Sequence, residues 1–285
     1  MPGDENGARS DPFAPEIVPR RPYPSSSYRQ ALSSLYYSIE YGRFASEYGR
    51  GLLALVGPPG SGKSTVVHQL EGRMKLQSAT LMVRPSPCDA GGFLTCLMAA
   101  FGHDCQGWEV AAMRAKLEEA MWQFGTRDRF VLIVDDAQHL DKSAQNTVSS
   151  LMGRESSNRG TLAIVLAGTP EWAARLTRPP VNYPTQQVLI APLDMAHTEG
   201  YISHRLRTAG WSGSSPFTPE TCTEIFQLSG GIPAKINAIC SQVLRVGSVS
   251  EPQPGNLYDG IARLTIPALW NRVVRPRRFW RPQPS

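Results

Sequence analysis

The sequence has few of the features that mark secreted, disulfide-bonded or membrane-spanning proteins. It contains five cysteines in 285 residues, and no two of them form a C-x-x-C pair. An odd number without such a pair disfavours a disulfide framework or a structural zinc site and indicates a reducing compartment. No apolar run approaches the roughly 18 residues of a membrane span, and the first 24 residues lack the apolar stretch of a signal peptide. We therefore expect a cytoplasmic protein, whose membrane contact, if it has any, is peripheral at the inner membrane.

Acidic residues are absent from residues 261–285, which contain six arginines. The whole chain has 29 Lys and Arg against 24 Asp and Glu, a formal net charge of +5. Without those six arginines, 23 basic residues face 24 acidic ones, so the body of the protein carries about −1. This balance excludes a body that is itself a basic surface for nucleic acid, and it assigns the positive charge to an appended tail. The six are Arg263, Arg272, Arg275, Arg277, Arg278 and Arg281.

Composition divides the chain into four predicted parts. Six prolines in residues 1–24 predict a flexible arm without a core. In residues 25–194, apolar runs alternate with helical patterns, which predicts an α/β domain with a parallel sheet between helices. Three successive helical patterns in residues 195–247 predict a small all-helical lid, and residues 248–285 make up a Pro/Arg-rich basic tail. The predicted strands are Gly51 to Val56, Ala79 to Val83, Phe130 to Val134, Thr161 to Ala167 and Gln187 to Ile190.

A glycine-rich motif follows the first predicted strand and opens a helical pattern. Its letters, GPPGSGKST, satisfy the phosphate-binding motif G-x-x-x-x-G-K-[ST]. In this motif the backbone wraps the phosphates, Lys63 would reach the β- and γ-phosphates, and the Ser64 hydroxyl would ligate Mg²⁺. The alternative, a glycine-rich turn with an accidental lysine, does not account for the strand before it and the helix after it. The predicted binding residues are Gly57, Pro58, Pro59, Gly60, Ser61, Gly62, Lys63, Ser64 and Thr65.

Two later strands also end in polar side chains. The strand Phe130 to Val134 ends at Asp135 and Asp136. Beside a P-loop, Asp135 is the expected Mg²⁺-side acid and Asp136 the expected base or water-orienting residue. Without the P-loop, the same pair would be interpreted as a helix cap. Another buried strand ends at Thr169, which we expect to hydrogen-bond the γ-phosphate or the attacking water, although Gly-Thr-Pro alone is also a turn that starts a helix.

Taken together, the P-loop, the acid-ending strand, the polar strand end and the trailing helices resemble an AAA+ ATPase. The segments VDDAQHL (134–140), IVLAGTPE (164–171) and SGGIPAKIN (229–237) narrow the resemblance to the ExeA/GspA-type secretion ATPases and their pilus-assembly relatives. The similar stretch covers roughly residues 23–246. The resemblance implies a P-loop NTPase fold with a helical lid, ATP and Mg²⁺ as cofactors, ATP hydrolysis and nucleotide-dependent homo-oligomers. The absence of an Asn-Lys-x-Asp-type guanine motif agrees with ATP.

Three positions depart from the family pattern. The resemblance implies a second-sensor arginine near the Gly-Ile-Pro turn, where this chain has Lys235, a point charge without the planar fork of arginine. It implies glutamate where the chain has Asp136, and the shorter side chain predicts slow turnover. It also implies an arginine that reaches a neighbour's nucleotide. Arg175 and Arg178 lie in that interval, with Arg178 as our candidate, and two solvated surface arginines are the alternative.

Three functions fit these observations. The first is an ATPase that energises or regulates assembly of a secretion, pilus or exopolysaccharide export machine. The second is a DNA-associated ATPase that regulates transposition, of the TniB/TnsC kind, and the third is a nucleotide-binding switch with little turnover. The near-neutral body disfavours extensive contact with duplex DNA. The tail of residues 261–285, in which aromatic residues lie among arginines, suits an anionic membrane surface, a protein partner or DNA.

Overall fold

A computed structural model describes residues 11–14, 21–41, 50–124, 129–153, 161–176, 185–211 and 214–247. The described residues fall into two compact units. One unit lies within Pro24–Pro192 and has an α/β architecture. The other combines residues up to Tyr23 with residues from Leu193 onward and is helical.

The α/β unit contains a five-stranded, fully parallel sheet within the described residues. Its strand order is β2-β3-β4-β1-β5. The P-loop strand β1 therefore lies between β4 and β5, and the acid-ending strand β3 lies between β2 and β4. The predicted α/β class with a parallel sheet is confirmed. The strands are β1 (Arg50–Val56), β2 (Ala79–Val83), β3 (Arg129–Val134), β4 (Thr161–Gly168) and β5 (Thr185–Leu189).

Helices connect and cover these strands. The α/β unit contains α1 (Ser26–Glu40), α2 (Lys63–Met74), α3 (Ala90–Ala100), α4 (Val110–Phe124), α5 (Lys142–Gly153) and α6 (Pro170–Leu176). The helical unit contains α7 (Met195–Thr208), α8 (Pro219–Ser229) and α9 (Pro233–Gly247). Six of these helices begin where a side-chain oxygen accepts a hydrogen bond from the N–H three residues further on, which satisfies a donor that the helix leaves unpaired. These capping residues are Ser25 for α1, Asp89 for α3, Asp141 for α5, Thr169 for α6, Asp194 for α7 and Thr218 for α8.

Alternation along the strands gives the sheet two buried faces. In β1, Leu52, Ala54 and Val56 pack with one group of helices, α3 to α6. Leu53 and Leu55 point the other way and pack with α1 and α2. Since each buried aliphatic side chain contributes about 1.5–3 kcal/mol, burial on both faces stabilises the sheet. This double burial fixes the strand ends, which carry the polar motifs.

The helical unit includes part of the segment that the sequence predicts to be an arm without a core, and that expectation is wrong for Phe13. The Phe13 side chain is 1% exposed, and its ring meets that of Phe217 edge to face, with centroids 5.7 Å apart. The backbone on either side of Phe13 is also held. Arg205 donates from Nε to the carbonyl of Pro12 (2.9 Å) and from a terminal nitrogen to the carbonyl of Ala14 (3.2 Å). A proline-rich composition therefore did not prevent one aromatic side chain from joining the core.

Tyr23 provides a second contact of the same kind. Its ring lies against Tyr201 and His197 of α7, with centroids 5.9 and 6.2 Å away. Nearby, His204 Nε2 lies 2.8 Å from the carbonyl oxygen of Arg21. These contacts attach residues on both sides of the undescribed segment 15–20 to the helical unit.

The remaining global expectations concern cysteine and membrane spans. All five cysteines are free; Cys105, Cys222 and Cys240 are buried, and Cys88 and Cys96 are partly exposed. Burial raises the pKa of Cys222 to about 11, so this thiol is a neutral core residue at physiological pH. Within the described segments, no helix has both the length and the apolar character required to cross a bilayer.

The docking of Phe13 leads to a stability prediction for the helical unit. We expect Phe13→Ala to lower the opening free energy of α7–α9 by about 3 kcal/mol, because it leaves a cavity beside Phe217. Amide hydrogen exchange followed by mass spectrometry would report protection in these helices. Trp108→Ala, which removes a 40% exposed aromatic from the other unit, is the control. Unchanged protection of α7–α9 in Phe13→Ala would show that the contact contributes nothing to the unit.

Candidate functional site

The carboxyl ends of the central strands bring the sequence motifs to one edge of the sheet. Val56 of β1 pairs with Gly168 of β4, and Val134 of β3 pairs with Leu166 of β4. Because these strands are parallel, the P-loop, the acid pair and Thr169 all emerge at the same edge. In open α/β sheets this edge is where ligands bind.

The P-loop turns tightly between β1 and α2. Gly60 and Gly62 have φ angles of 79° and 100°, in the region that favours glycine, and α2 begins directly afterwards at Lys63. At Gly57 there is no room for a side chain, since a Cβ would collide with Ile190 and lie 2.8 Å from Ser61 Oγ. The loop therefore packs closely against Ile190, the residue that follows β5. The N-terminus of α2 faces the space that the loop encloses.

Lys63 is held inside this loop. Its Nζ donates to the carbonyl oxygens of Gly57 and Pro58 at 2.9 and 3.0 Å, and the residue is 6% exposed. Burial lowers the pKa of Lys63, while the negative charges of Asp136 and Asp135 oppose that shift. The ammonium group is thus positioned at the loop by two carbonyls that an incoming phosphate can replace.

Ser61 carries a buried oxygen with no hydrogen-bond partner among the described residues. The residue is 5% exposed, and its Oγ is buried. A buried hydroxyl without a partner costs free energy, so its persistence needs an explanation in a ligand, a water or a function. An orphaned donor inside a P-loop fits a phosphate oxygen.

The two acids after β3 differ in their environments. Asp135 is fully buried, and its Oδ1 accepts a hydrogen bond from the N–H of Asp136 at 3.1 Å. Asp136 has φ 56° and ψ 42°, a left-handed conformation that non-glycine residues rarely adopt and that Asp and Asn tolerate best. Its Oδ1 accepts from Gln138 Nε2 at 2.9 Å. Such backbone strain is concentrated at functional positions in proteins.

Arg84 joins these groups, and sequence reasoning missed it. It follows β2, the neighbour of β3, and its guanidinium donates to Asp135 Oδ2 through both Nε (3.1 Å) and a terminal nitrogen (2.6 Å). The same terminal nitrogen donates to Ser64 Oγ at 2.7 Å, and Nε lies 3.0 Å from Asp136 Oδ2. A lone arginine after a strand carries no spacing signal; only the sheet order, which places β2 next to β3, identifies it.

Thr169 lies where the sequence placed it, at the end of the strand between β3 and the P-loop strand. Its hydroxyl also accepts from the N–H of Trp172 at 3.4 Å, so it helps to start α6. Hydrogen bonds from the backbone N–H of Glu171 itself and from the Thr169 hydroxyl lower the pKa of Glu171. Both interpretations of the Gly-Thr-Pro segment, a helix start and a polar strand end at the site, are therefore compatible with this position.

The structure does not test the roles of three further candidate cations. Arg178 lies outside the described residues, and Arg175 is exposed on α6. Lys235 is exposed in the first turn of α9 and belongs to the helical unit. Their sensor and trans-acting roles stay predictions.

The residues at the sheet edge fit ATP with Mg²⁺. A hydroxyl from Ser64 and a carboxylate from Asp135 are oxygen ligands of the kind Mg²⁺ prefers, and Mg²⁺ is commonly held by one or two such groups together with substrate phosphates. Among the described residues, no group of three His, Cys, Asp or Glu side chains could hold a metal alone. This donor set therefore suits a cation that arrives with phosphates rather than one that the protein cages by itself.

Comparison with known proteins agrees with this geometry. Residues 46–176 match the family model described as an AAA domain. The chain is 26% identical over 244 residues to General secretion pathway protein A of Aeromonas hydrophila, an alignment that covers 84% of this chain and 43% of the relative. The chain thus spans less than half of that relative's length. The resemblance to an AAA ATPase of the ExeA/GspA type is confirmed.

Solved structures show the same fold at low sequence identity. A chain of the Drosophila ORC structure bound to DNA has a TM-score of 0.63 and 15% identity, covering 87% of this chain and 63% of that one. Cdc6p from Pyrobaculum aerophilum has a TM-score of 0.59 and 16% identity, covering 84% of this chain and 64% of that one. The Holliday junction branch migration motor RuvB of Thermotoga maritima has a TM-score of 0.51 and 15% identity, covering 80% of this chain and 64% of that one. At these identities the likeness concerns the fold alone.

The position of Lys63 leads to a binding prediction. We expect Lys63→Ala to abolish measurable binding of Mg-ATP, because the loop loses its cation while β1 and α2 keep their packing. Isothermal calorimetry with Mg-ATP is the measurement. Lys75→Ala removes an equal charge at the other end of α2, where Lys75 pairs with Glu71, and should bind like the unmodified protein. Equal affinity in the two variants would overturn the P-loop assignment.

Proposed function

We propose, from the match of residues 46–176 to the AAA domain model, that the protein binds and hydrolyses ATP with Mg²⁺. The observation that carries the proposal is the meeting of four groups at one sheet edge. Lys63 is held in the P-loop, and Ser64 Oγ and the carboxylates of Asp135 and Asp136 are linked through one guanidinium. Groups of these types at this edge are the parts that phosphoryl transfer requires.

Each group has a separate task in the proposed reaction. The P-loop N–H groups and Lys63 bind the β- and γ-phosphates, and Ser64 with Asp135 holds the cation. Mg²⁺, when bound, neutralises charge on the β- and γ-phosphate oxygens. Asp136 orients the attacking water and accepts its proton, and Thr169 hydrogen-bonds the γ-phosphate or that water. Positioning, electrostatic stabilisation and proton acceptance by Asp136 are thus the contributions that we assign to the chain.

For the biological role, we propose assembly or regulation of a secretion, pilus or exopolysaccharide export machine. The match to General secretion pathway protein A supports this role. Homo-oligomers that form with nucleotide follow from the AAA resemblance, with Arg178 as the candidate that reaches the neighbouring nucleotide and Lys235 as the candidate second sensor. We place the protein in the cytoplasm, in contact with the protein components of that machine and peripherally at the inner membrane. Regulation of transposition on DNA is the alternative, and the near-neutral body disfavours it.

One observation favours a second candidate function, a nucleotide-controlled switch with little turnover. Both carboxylate oxygens of Asp136 are engaged, Oδ1 by Gln138 and Oδ2 by Arg84. The side chain is also one methylene shorter than the glutamate that the resemblance implies. A carboxylate that is set back and occupied is a poor base, because misplacement by about 1 Å can lower a rate on the order of 100-fold.

Asp136→Asn separates hydrolysis from binding. We expect ATP affinity to stay within about threefold of the unmodified protein while kcat falls on the order of 100-fold or more, because Asn keeps the shape and tolerates φ 56° but accepts no proton. Steady-state phosphate release and calorimetry would give the two numbers. If the unmodified protein itself shows no turnover above background, the switch function is the correct one. A variant that hydrolyses at the unmodified rate would make Asp136 only a structural residue.

Deletion of residues 261–285 separates the membrane role from the DNA role. The deletion removes six positive charges and leaves the phosphate-site residues intact, so ATP binding should be unchanged. We expect co-sedimentation with anionic liposomes to be lost, since such attachment depends on clustered arginines and is screened over about 10 Å at 0.1 M salt. Gel shifts with duplex DNA run alongside. Tail-dependent DNA binding that tightens with ATP would favour transposition instead, and no binding to either surface would contradict both electrostatic roles.

A further inference from the structure

We propose that Arg84 competes with Mg²⁺ for the Mg²⁺-binding site and thereby sets the Mg²⁺ concentration at which the protein binds nucleotide. The inference rests on the proposed function, because it concerns the cation that accompanies ATP. It assigns a role to a residue that neither the P-loop nor the acid pair includes.

The contacts of Arg84 coincide with those expected of the metal. One terminal nitrogen donates to Ser64 Oγ at 2.7 Å and to Asp135 Oδ2 at 2.6 Å. These two side chains are the oxygen donors assigned to Mg²⁺. A single guanidinium nitrogen thus bonds the two groups that a hard divalent cation would bond. The nitrogen and the cation cannot occupy this position together, so loading of Mg²⁺ requires Arg84 to leave.

Burial shows which partner can move. The Asp135 side chain is 0% exposed and lies at the end of a central strand, so its carboxylate stays in place. A buried carboxylate without a cation carries a large desolvation penalty, which either Arg84 or Mg²⁺ can offset. The Arg84 side chain is 55% exposed, so its departure returns a guanidinium to water at little cost. The site therefore exchanges one cation for another and leaves Asp135 paired in both arrangements.

The second contact of Arg84 gives the exchange a further effect. Its Nε lies 3.0 Å from Asp136 Oδ2, so the same side chain also occupies the proposed base. Displacement by Mg²⁺ would free this oxygen at the moment when nucleotide and metal are in place. Arg84 thus links readiness of the base to loading of the cation.

The test measures nucleotide binding, not ATPase activity, as a function of the Mg²⁺ concentration. Binding of a fluorescent, non-hydrolysable ATP analogue is measured from EDTA through increasing free Mg²⁺ for the unmodified protein, Arg84→Gln, Arg84→Lys and Arg73→Gln. Arg73→Gln is the matched control, since it makes the same charge change at an exposed position of α2. We expect the half-saturating Mg²⁺ concentration to fall about tenfold in Arg84→Gln, the size of one charge-assisted contact. Arg84→Lys should show a smaller fall, because an ammonium lacks the fork that spans three side chains.

The outcomes are distinguishable from failure of the proposed function. If the unmodified protein binds the analogue at no Mg²⁺ concentration, the proposed function is wrong. If it binds, and Arg84→Gln has the same or a higher Mg²⁺ midpoint than Arg73→Gln, the competition is wrong. Thermal unfolding identifies a variant that does not fold. In that case Arg84→Lys decides, since an unchanged midpoint there overturns the proposal and a lower one supports it.

Discussion

The buried carboxylate of Asp135 is the constraint on which the candidate site depends. It sits at the end of β3 with no exposure to solvent, and burial of a carboxylate is costly unless a positive group is paired with it. Arg84 supplies this group from the neighbouring strand, and Ser64 is drawn into the same cluster. The order of the strands makes this possible, because β2 and the P-loop strand both end within reach of β3. A change in strand order would separate the acid from its partner and from the phosphate loop.

Much of the α/β unit could be predicted from the sequence because its signals are local. The five strands are apolar runs bounded by turns, and the P-loop is a motif with a strict spacing. The predicted strands match the observed ones to within two residues at each end. The helix α3 was not predicted, since its letters, AGGFLTCLMAA, combine two glycines with an almost wholly apolar composition and show no helical period. Burial of Phe93, Leu94 and Leu97 against the sheet stabilises this helix where local propensity does not.

The site was predictable where chemistry follows a motif and not where it follows tertiary placement. The meeting of Lys63, Ser64 and Asp135 at one sheet edge was predictable, because residue type, spacing and strand context agree. Arg84 was not found, because its relation to Asp135 is set by a strand pairing that spans 51 positions of sequence. The left-handed backbone of Asp136 was likewise invisible, although aspartate is among the residues that tolerate it. The burial of Phe13 was likewise unpredictable from the sequence, since it depends on the core of the helical unit.

The edge-to-face pair of Phe13 and Phe217 has a consequence for the order in which the protein forms during synthesis. Phe217 follows Phe13 by 204 positions, so at about 5–20 residues per second the first ring waits on the order of 10–40 s for the second. The α/β unit lies between Phe13 and Phe217 in the sequence and contains its own core. It can therefore form while the Phe13 ring is still exposed. The helical unit closes last, by joining the earliest described residues of the chain to the latest. Closing so long a loop adds little entropic cost, because that cost grows only with the logarithm of length. A nascent chain of this protein therefore leaves the Phe13 ring without its native partner for most of its translation.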